Sequence, residues 1–124
     1  IGNAIATDVG AGTSYSMLQT LNEGYKVLQL QGQALHPLRA FHWITLGNAV
    51  TLGLEGKIGT LDAGTEADVV VLDARATPAM DLRMDRAGSL SDELFILQML
   101  GDDRAVAQVY VAGRASKVVL EAAI

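Results

Sequence analysis

Cysteine is absent from the 124-residue sequence, and its absence excludes disulfide bonds, thiolate metal sites and a cysteine nucleophile. Histidine occurs only twice, which is few for a metalloenzyme because catalytic zinc sites usually rely on imidazole ligands. No apolar run approaches the roughly 20 residues of a membrane span, and no secretory signal opens the chain. We therefore expect a cytoplasmic protein with no membrane partner.

Basic residues are in the minority as well. The chain has 9 lysines and arginines against 14 aspartates and glutamates, so its net charge is −5 and its pI is near 4.8. Binding to nucleic acid or to an anionic membrane needs a basic surface, so we expect neither partner. Apolar residues make up 50% of the chain and charged residues 19%, which excludes a disordered protein.

The chain is short and lacks an initiator methionine. Its length suits one domain or a piece of a larger one, and its first residue is Ile1. We expect a fragment or subunit of a larger globular protein.

The start of the sequence predicts a strand, a glycine loop and a helix. Residues 1–7 form a short apolar run that indicates a buried strand, and the glycines after it break that strand. Thr13 or Ser14 is the expected N-cap of the first helix, which stops near Gly32. The helix is indicated by apolar residues at three- and four-residue steps, namely Leu18, Leu21, Tyr25 and Leu28.

The rest of the chain predicts one more long helix and then a strand-rich half. Pro37 suits a first helical turn, so a second helix is expected to begin there and to run to Gly53. β-Branched residues and turn residues dominate after Gly53. We predict, in order, a strand over 57–61, a turn over 62–65, a strand over 68–73, a helical turn or loop over 78–86, a helix over 91–100 and a hairpin formed by 105–112 and 115–120.

Asp8 is the first residue that could carry chemistry. It ends the first predicted strand and is followed by Gly10 and Gly12. Ligands of α/β proteins bind beyond the carboxyl ends of strands, so this carboxylate could meet a metal ion or a substrate proton. Asp8 could also cap the turn or the following helix, a frequent role of aspartate. The residues alone leave both interpretations open.

The glycine loop suggests a second kind of site. Backbone N–H groups around Gly10, Ala11 and Gly12, ahead of a helix, could hold a phosphate. The nucleotide-binding fingerprints need a third glycine or a Gly-Lys-Ser/Thr run, and the sequence has neither here. A non-enzymatic module that binds an anion stays an alternative.

The two histidines predict structural roles. His36 precedes Pro37 at the start of a helix and is expected to be solvated, whereas His42 beside Trp43 is expected to be packed or hydrogen-bonded in the core. A spacing of six does not place two metal ligands on one helix face.

The segment 7–23, TDVGAGTSYSMLQTLNE, is similar to the guanine deaminase family within the amidohydrolase superfamily. Ala11 stands where that family commonly has a third glycine. The resemblance to the family continues through residues 25–27, 29–32 and 45–47. Segments 66–73 and 109–114 resemble the C-terminal sandwich and the final hairpin that many amidohydrolases share.

The resemblance implies an α/β fold, the C-terminal fragment of a (β/α)8 metal-dependent hydrolase barrel plus part of a β-sandwich domain. Residues 1–53 would supply the last strand and helices of the barrel, and 54–124 the C-terminal part of the sandwich. Asp8 would be the metal-binding and catalytic aspartate at the end of the eighth strand. There zinc polarises the attacking water and the aspartate orients and deprotonates it, so that guanine and water give xanthine and ammonia.

The resemblance also implies what this sequence lacks. The family's His-x-His pair, its other histidine ligands, its proton-shuttling Glu and its purine-binding Arg lie on earlier strands, and neither His36 nor His42 matches them. We expect the fragment to be inactive alone, to bind zinc weakly and to form homo-oligomers. An amidohydrolase acting on another purine, a pterin or a triazine is the alternative within the superfamily.

Overall fold

A computed structural model describes residues 3–116 as a mixed α/β structure. None of the helices in this range is long and apolar enough to cross a membrane. In chain order the elements are α1 (Met17–Leu30), α2 (Pro37–Trp43), α3 (Leu46–Leu52), β1 (Val69–Leu72), α4 (Pro78–Met84), α5 (Leu90–Leu100), a short 3-10 helix (Asp103–Ala105), β2 (Val106–Val111) and β3 (Arg114–Ala115).

Helix α5 lies at the centre of the helical packing, in contact with α1, α2 and α4. Its residues Ile96 and Leu97 are buried in one apolar cluster with Leu18 of α1 and Met80 of α4. The half-buried ring of Phe41 packs against both apolar clusters of the structure and so joins them into one core. The larger cluster consists of Leu18, Ala74, Met80, Ile96, Leu97 and Ala105, and the smaller one of Leu21, Leu35 and Ala40.

Helix α1 confirms the predicted helix but begins later than expected. The N-cap is Ser16, whose hydroxyl accepts a hydrogen bond from the Gln19 N–H at 3.4 Å. The Ser14 hydroxyl instead accepts from the Ser16 N–H at 3.0 Å. The predicted cap at Thr13 or Ser14 is therefore wrong, since Ser14 shapes the turn ahead of the helix.

The predicted helix from Pro37 to Gly53 is wrong in one respect, because the structure divides it into α2 and α3. The Thr45 hydroxyl donates to the Phe41 carbonyl at 2.7 Å, and the Thr45 N–H turns to the His42 carbonyl at 3.2 Å. At this point the backbone N–H bonds three residues back instead of four, and α2 ends at Trp43, while the threonine side chain bonds the Phe41 carbonyl. Gly53, at a φ of +69°, ends α3 as predicted.

The three strands form one antiparallel sheet in the order β1-β2-β3. Val69 faces Tyr110 and Leu72 faces Val106, with an irregularity in the register between Val71 and Leu72. The strand predicted over 68–73 is confirmed, and so is the hairpin as far as Ala115. Its predicted continuation over 117–120 lies outside the described residues.

Two predicted strands are not present in residues 3–116. Residues 57–61 form turns, because the N–H groups of Lys57 and Ile58 both bond to the Leu54 carbonyl. Residues 3–7 adopt no regular element either, since no strand of the described range pairs with them. The described range also holds no barrel, so that part of the expected fold class is not seen in it.

Gln98 is the one buried polar residue of the described core, with a side-chain exposure of 0%. Both its amide oxygen and its amide nitrogen lack a hydrogen-bond partner among residues 3–116. A buried amide without partners loses its hydration and gains nothing in return. The side chain is therefore expected to destabilise this chain.

We predict that Gln98→Met stabilises the 124-residue chain by about 1–3 kcal/mol, because methionine keeps a similar volume and has no amide to desolvate. The midpoint of thermal or urea unfolding measures the change. Gln29→Met, on the exposed face of α1, is the matched control and should shift the midpoint little. A lower midpoint for Gln98→Met would contradict the prediction.

Candidate functional site

Asp8 lies at the point where the chain turns sharply after segment 3–7. Its φ is +52°, a left-handed conformation that aspartate tolerates better than most residues. Its carbonyl accepts hydrogen bonds from the N–H groups of Ala11 at 2.9 Å and Gly12 at 2.6 Å. The residue is exposed, and within residues 3–116 its side chain takes part in no hydrogen bond or ion pair. The carboxylate is thus available to a ligand from outside this segment.

Gly12 closes the Asp8 turn against the end of the preceding segment. A Cβ at this position would lie 1.8 Å from the carbonyl oxygen of Thr7, so no larger residue fits without moving the backbone. The turn also uses the N–H groups of Ala11 and Gly12 for the Asp8 carbonyl. These amides are consequently not free to hold a phosphate, which weakens the anion-binding alternative.

The segment that leads to Asp8 is held by side chains of α3. The Asn48 amide accepts from the Ile5 N–H at 2.7 Å and donates to the Ile5 carbonyl at 2.8 Å. The Thr51 hydroxyl lies 3.2 Å from the Asn3 carbonyl. Sequence reasoning missed these residues, because no local pattern signals a contact between positions 43 residues apart.

An open groove of about 320 Å³ lies between the start of α1 and the end of α5. Thr13 and Ser14 line it on the loop side, and Glu23 and Lys26 form an ion pair of 2.9 Å along it. Asn22 spans the two helices by donating to the Met99 carbonyl at 2.8 Å. Asp8 does not line this groove, so the groove and the carboxylate are separate features.

Neither histidine forms part of a metal-binding group with Asp8 within the described residues. His36 caps α2 through its Nδ1, which accepts from the Leu38 N–H at 3.3 Å, and it is exposed as predicted. The predicted packing of His42 in the core is wrong, since its side chain is exposed. Helix α2 turns Pro37 and Ala40 inward instead, and His42 lies on another side of the helix.

The pKa shifts that the structure produces belong to other parts of the molecule. A hydrogen bond from the Ser89 hydroxyl, aided by the Gly88 N–H, lowers the pKa of Asp92 in the first turn of α5. Hydrogen bonds from Arg104 lower the pKa of Asp102. The pKa of Arg75 is raised by its hydrogen bonds to Asp81 and Asp85. Asp92 belongs to a helix cap, whereas Asp102 and Arg75 belong to ion pairs near the surface. Surface ion pairs contribute little to stability.

Asp8 satisfies one part of what a zinc site requires. Its exposed carboxylate is an oxygen donor of the kind that zinc accepts, and no cation within residues 3–116 competes for it. A catalytic site needs about three protein ligands. No group of three or more His, Cys, Asp or Glu side chains able to hold a metal occurs in the described range. A zinc site at Asp8 would need further ligands from outside this range.

The comparisons with known proteins agree on one family. The sequence profile of the Amidohydrolase family matches residues 3–116. The chain is 54% identical over 110 residues to guanine deaminase of Escherichia coli strain K12, covering 89% of this chain and 25% of that protein. Against the solved structure of E. coli guanine deaminase it gives a TM-score of 0.92 at 50% identity, covering 94% of this chain and 27% of the other.

A second solved structure supports the same assignment. The crystal structure of guanine deaminase from Bradyrhizobium japonicum gives a TM-score of 0.80 at 30% identity, covering 93% of this chain and 31% of that one. The chain spans about a quarter of the length of the curated relatives it matches. Because the family profile covers nearly all of it, the chain belongs to the Amidohydrolase family.

Proposed function

We propose that this chain is the C-terminal portion of a zinc-dependent guanine deaminase, which converts guanine and water to xanthine and ammonia. The observation that carries the proposal is the combined sequence and structural likeness to E. coli guanine deaminase. The family match includes the Asp8 turn. A cytoplasmic location belongs to the same proposal, since a chain without cysteine suits a reducing compartment. The complete enzyme would consist of this segment together with the remainder of such a protein.

The proposal assigns two structural roles to the segment. Residues 1–53 would contribute the last strand and helices of a (β/α)8 barrel, and residues 54–124 the C-terminal part of a β-sandwich. The backbone of residues 3–7 is consistent with the first role, because Ala4 and Ala6 have no backbone partner among residues 3–116 and could pair with a neighbouring strand. The antiparallel β1-β2-β3 sheet supports the second.

Asp8 would act on the water that attacks guanine. When bound, zinc would supply a Lewis acid that polarises this water at neutral pH. The Asp8 carboxylate would orient the water and accept its proton on an oxygen atom, as the water oxygen bonds to the amino-bearing carbon of the ring. Asp8 would then transfer this proton to the departing amino group, which leaves as ammonia when its bond to carbon breaks.

We expect Asp8→Asn in the complete enzyme to lower kcat for ammonia release on the order of 10²–10⁴-fold, because an amide cannot accept the proton. Zinc content should fall as well, since an amide is a weaker ligand than a carboxylate. Ammonia release from guanine and metal analysis of the purified protein measure the two effects.

Asp62→Asn is the matched control for this experiment. Asp62 is also an exposed aspartate in a glycine-containing turn, and its substitution should leave kcat unchanged. An Asp8→Asn enzyme with activity near that of the wild type would refute the role of Asp8. Faster turnover of another purine, a pterin or a triazine than of guanine would keep the chemistry but overturn the substrate.

The 124-residue chain by itself should release no ammonia from guanine and should bind zinc weakly. One carboxylate cannot form a zinc site, and the described residues bring no further ligand to Asp8. Ammonia assays and zinc titration of the purified chain test this, with the complete enzyme as positive control. Turnover by the isolated chain would show that its own residues complete a site.

We also expect the isolated chain to self-associate. Large apolar side chains are highly exposed, namely Tyr15 at 81%, Leu30 at 88% and Leu61 at 84%. The edge of β1 that faces away from β2 has no strand partner among residues 3–116, and unpaired edges pair readily with other chains. Light scattering over a range of protein concentrations measures the mass, and Leu30→Lys should lower it. A monomer at high concentration would contradict the prediction.

A further inference from the structure

The side chain of Asn48 holds both polar backbone groups of Ile5 at once. It accepts from the Ile5 N–H at 2.7 Å and donates to the Ile5 carbonyl at 2.8 Å. Both distances are those of well-formed hydrogen bonds. Only an amide side chain offers a donor and an acceptor side by side at this length. Asn48 therefore fixes the position of Ile5 both along the segment and across it.

Asn48 is itself carried by a well-anchored helix. A Cβ on Gly47 would lie 2.9 Å from the His42 carbonyl, so the start of α3 lies close against the end of α2. Ala49 is buried at 2% exposure. A Cβ on Gly59 would lie 2.9 Å from that of Ala49, so the following loop packs on the same helix. Helix α3 is therefore held in place, and with it Asn48, whose two hydrogen bonds act as a clamp on Ile5.

The position of Ile5 constrains the position of Asp8, because the two residues are joined by a short piece of backbone. Only Ala6 and Thr7 separate them, and Gly12 packs so closely on the Thr7 carbonyl that the path has little freedom. The Asp8 side chain has no hydrogen bond or ion pair of its own within residues 3–116. Its place is consequently set through the backbone.

We propose that Asn48 is a positioning residue for Asp8, which sets the place of the carboxylate by clamping Ile5. This inference rests on the proposed function, in which Asp8 acts on the attacking water. A displaced catalytic group lowers the rate of the chemical step, and a shift of about 1 Å can cost on the order of 100-fold. In the proposed function the side chains that bind guanine lie outside this segment, so the loss should fall on kcat rather than on KM.

The test uses three variants of the complete enzyme. Asn48→Leu removes both hydrogen bonds at similar volume and should lower kcat on the order of 10–100-fold, with KM changed by less than about twofold. Asn48→Asp keeps the acceptor but loses the donor, and its kcat should lie between those of Asn48→Leu and the wild type. Asn22→Leu is the matched control, because it also deletes a long-range asparagine hydrogen bond, to the Met99 carbonyl, but this bond does not hold the segment that leads to Asp8. Its kcat should be unchanged.

Coupling to Asp8 separates positioning from general destabilisation. If Asn48 acts only through Asp8, Asn48→Leu should cause no further loss in an Asp8→Asn background, because groups that act as a unit are not additive. A further loss in that background would overturn the proposal. A kcat within twofold of the wild type for Asn48→Leu, or an equal loss for Asn22→Leu, would overturn it too.

Amide hydrogen exchange in the 124-residue chain gives a readout that needs neither zinc nor activity. The Ile5 amide should exchange at least about tenfold faster in Asn48→Leu and at the wild-type rate in Asn22→Leu, since local opening sets the rate. An unchanged Ile5 rate would show that the clamp does not form. If Asp8→Asn is inactive while Asn48→Leu keeps full kcat, only the positioning role fails. If Asp8→Asn remains active, the proposed function fails together with it.

Discussion

Two hydrogen bonds between the Asn48 side chain and the backbone of Ile5 hold the segment that leads to Asp8. Residues 3–7 have no strand partner within the described range, and their backbone hydrogen bonds, at Asn3 and Ile5, are made to side chains of α3. Backbone groups left without a partner cost about as much free energy as a lost hydrogen bond. The break around Thr45 separates α3 from α2 and gives α3, which carries Asn48, a direction of its own. The place of Asn48, and through it that of Asp8, therefore depends on where α2 ends.

The elements that sequence reasoning predicted well are those specified by local signals. Helix α1 shows an apolar face and a glycine stop, α5 carries Asp92 and Glu93 in its first turn, and β1 is a run rich in β-branched residues. The break at Thr45 was missed because threonine is compatible with both a helix and its interruption. The strand expected over 57–61 failed because its hydrogen bonds close a turn onto Leu54.

The residues of the candidate site also differ in whether a local sequence signal marks them. Asp8 was predicted from its place between an apolar run and two glycines and from the family resemblance, and its catalytic role stays a proposal. Asn48 carried no local signal, because its partner is 43 residues away and no periodicity links the two. His42 was misjudged from its neighbour Trp43, although adjacent residues on a helix face different directions. The barrel boundary near Gly53 remains a prediction.

The chemistry of Asp8 is not explained by the folding of this segment. A φ of +52° suits asparagine or glycine at least as well as aspartate, and within residues 3–116 no cation or hydrogen-bond donor meets the carboxylate. Asn48 is the opposite case, since both polar atoms of its side chain are used by the backbone of the segment. The local fold does not need the charge of Asp8, but it holds the backbone that leads to Asp8 firmly. A metal ligand and proton acceptor requires both properties.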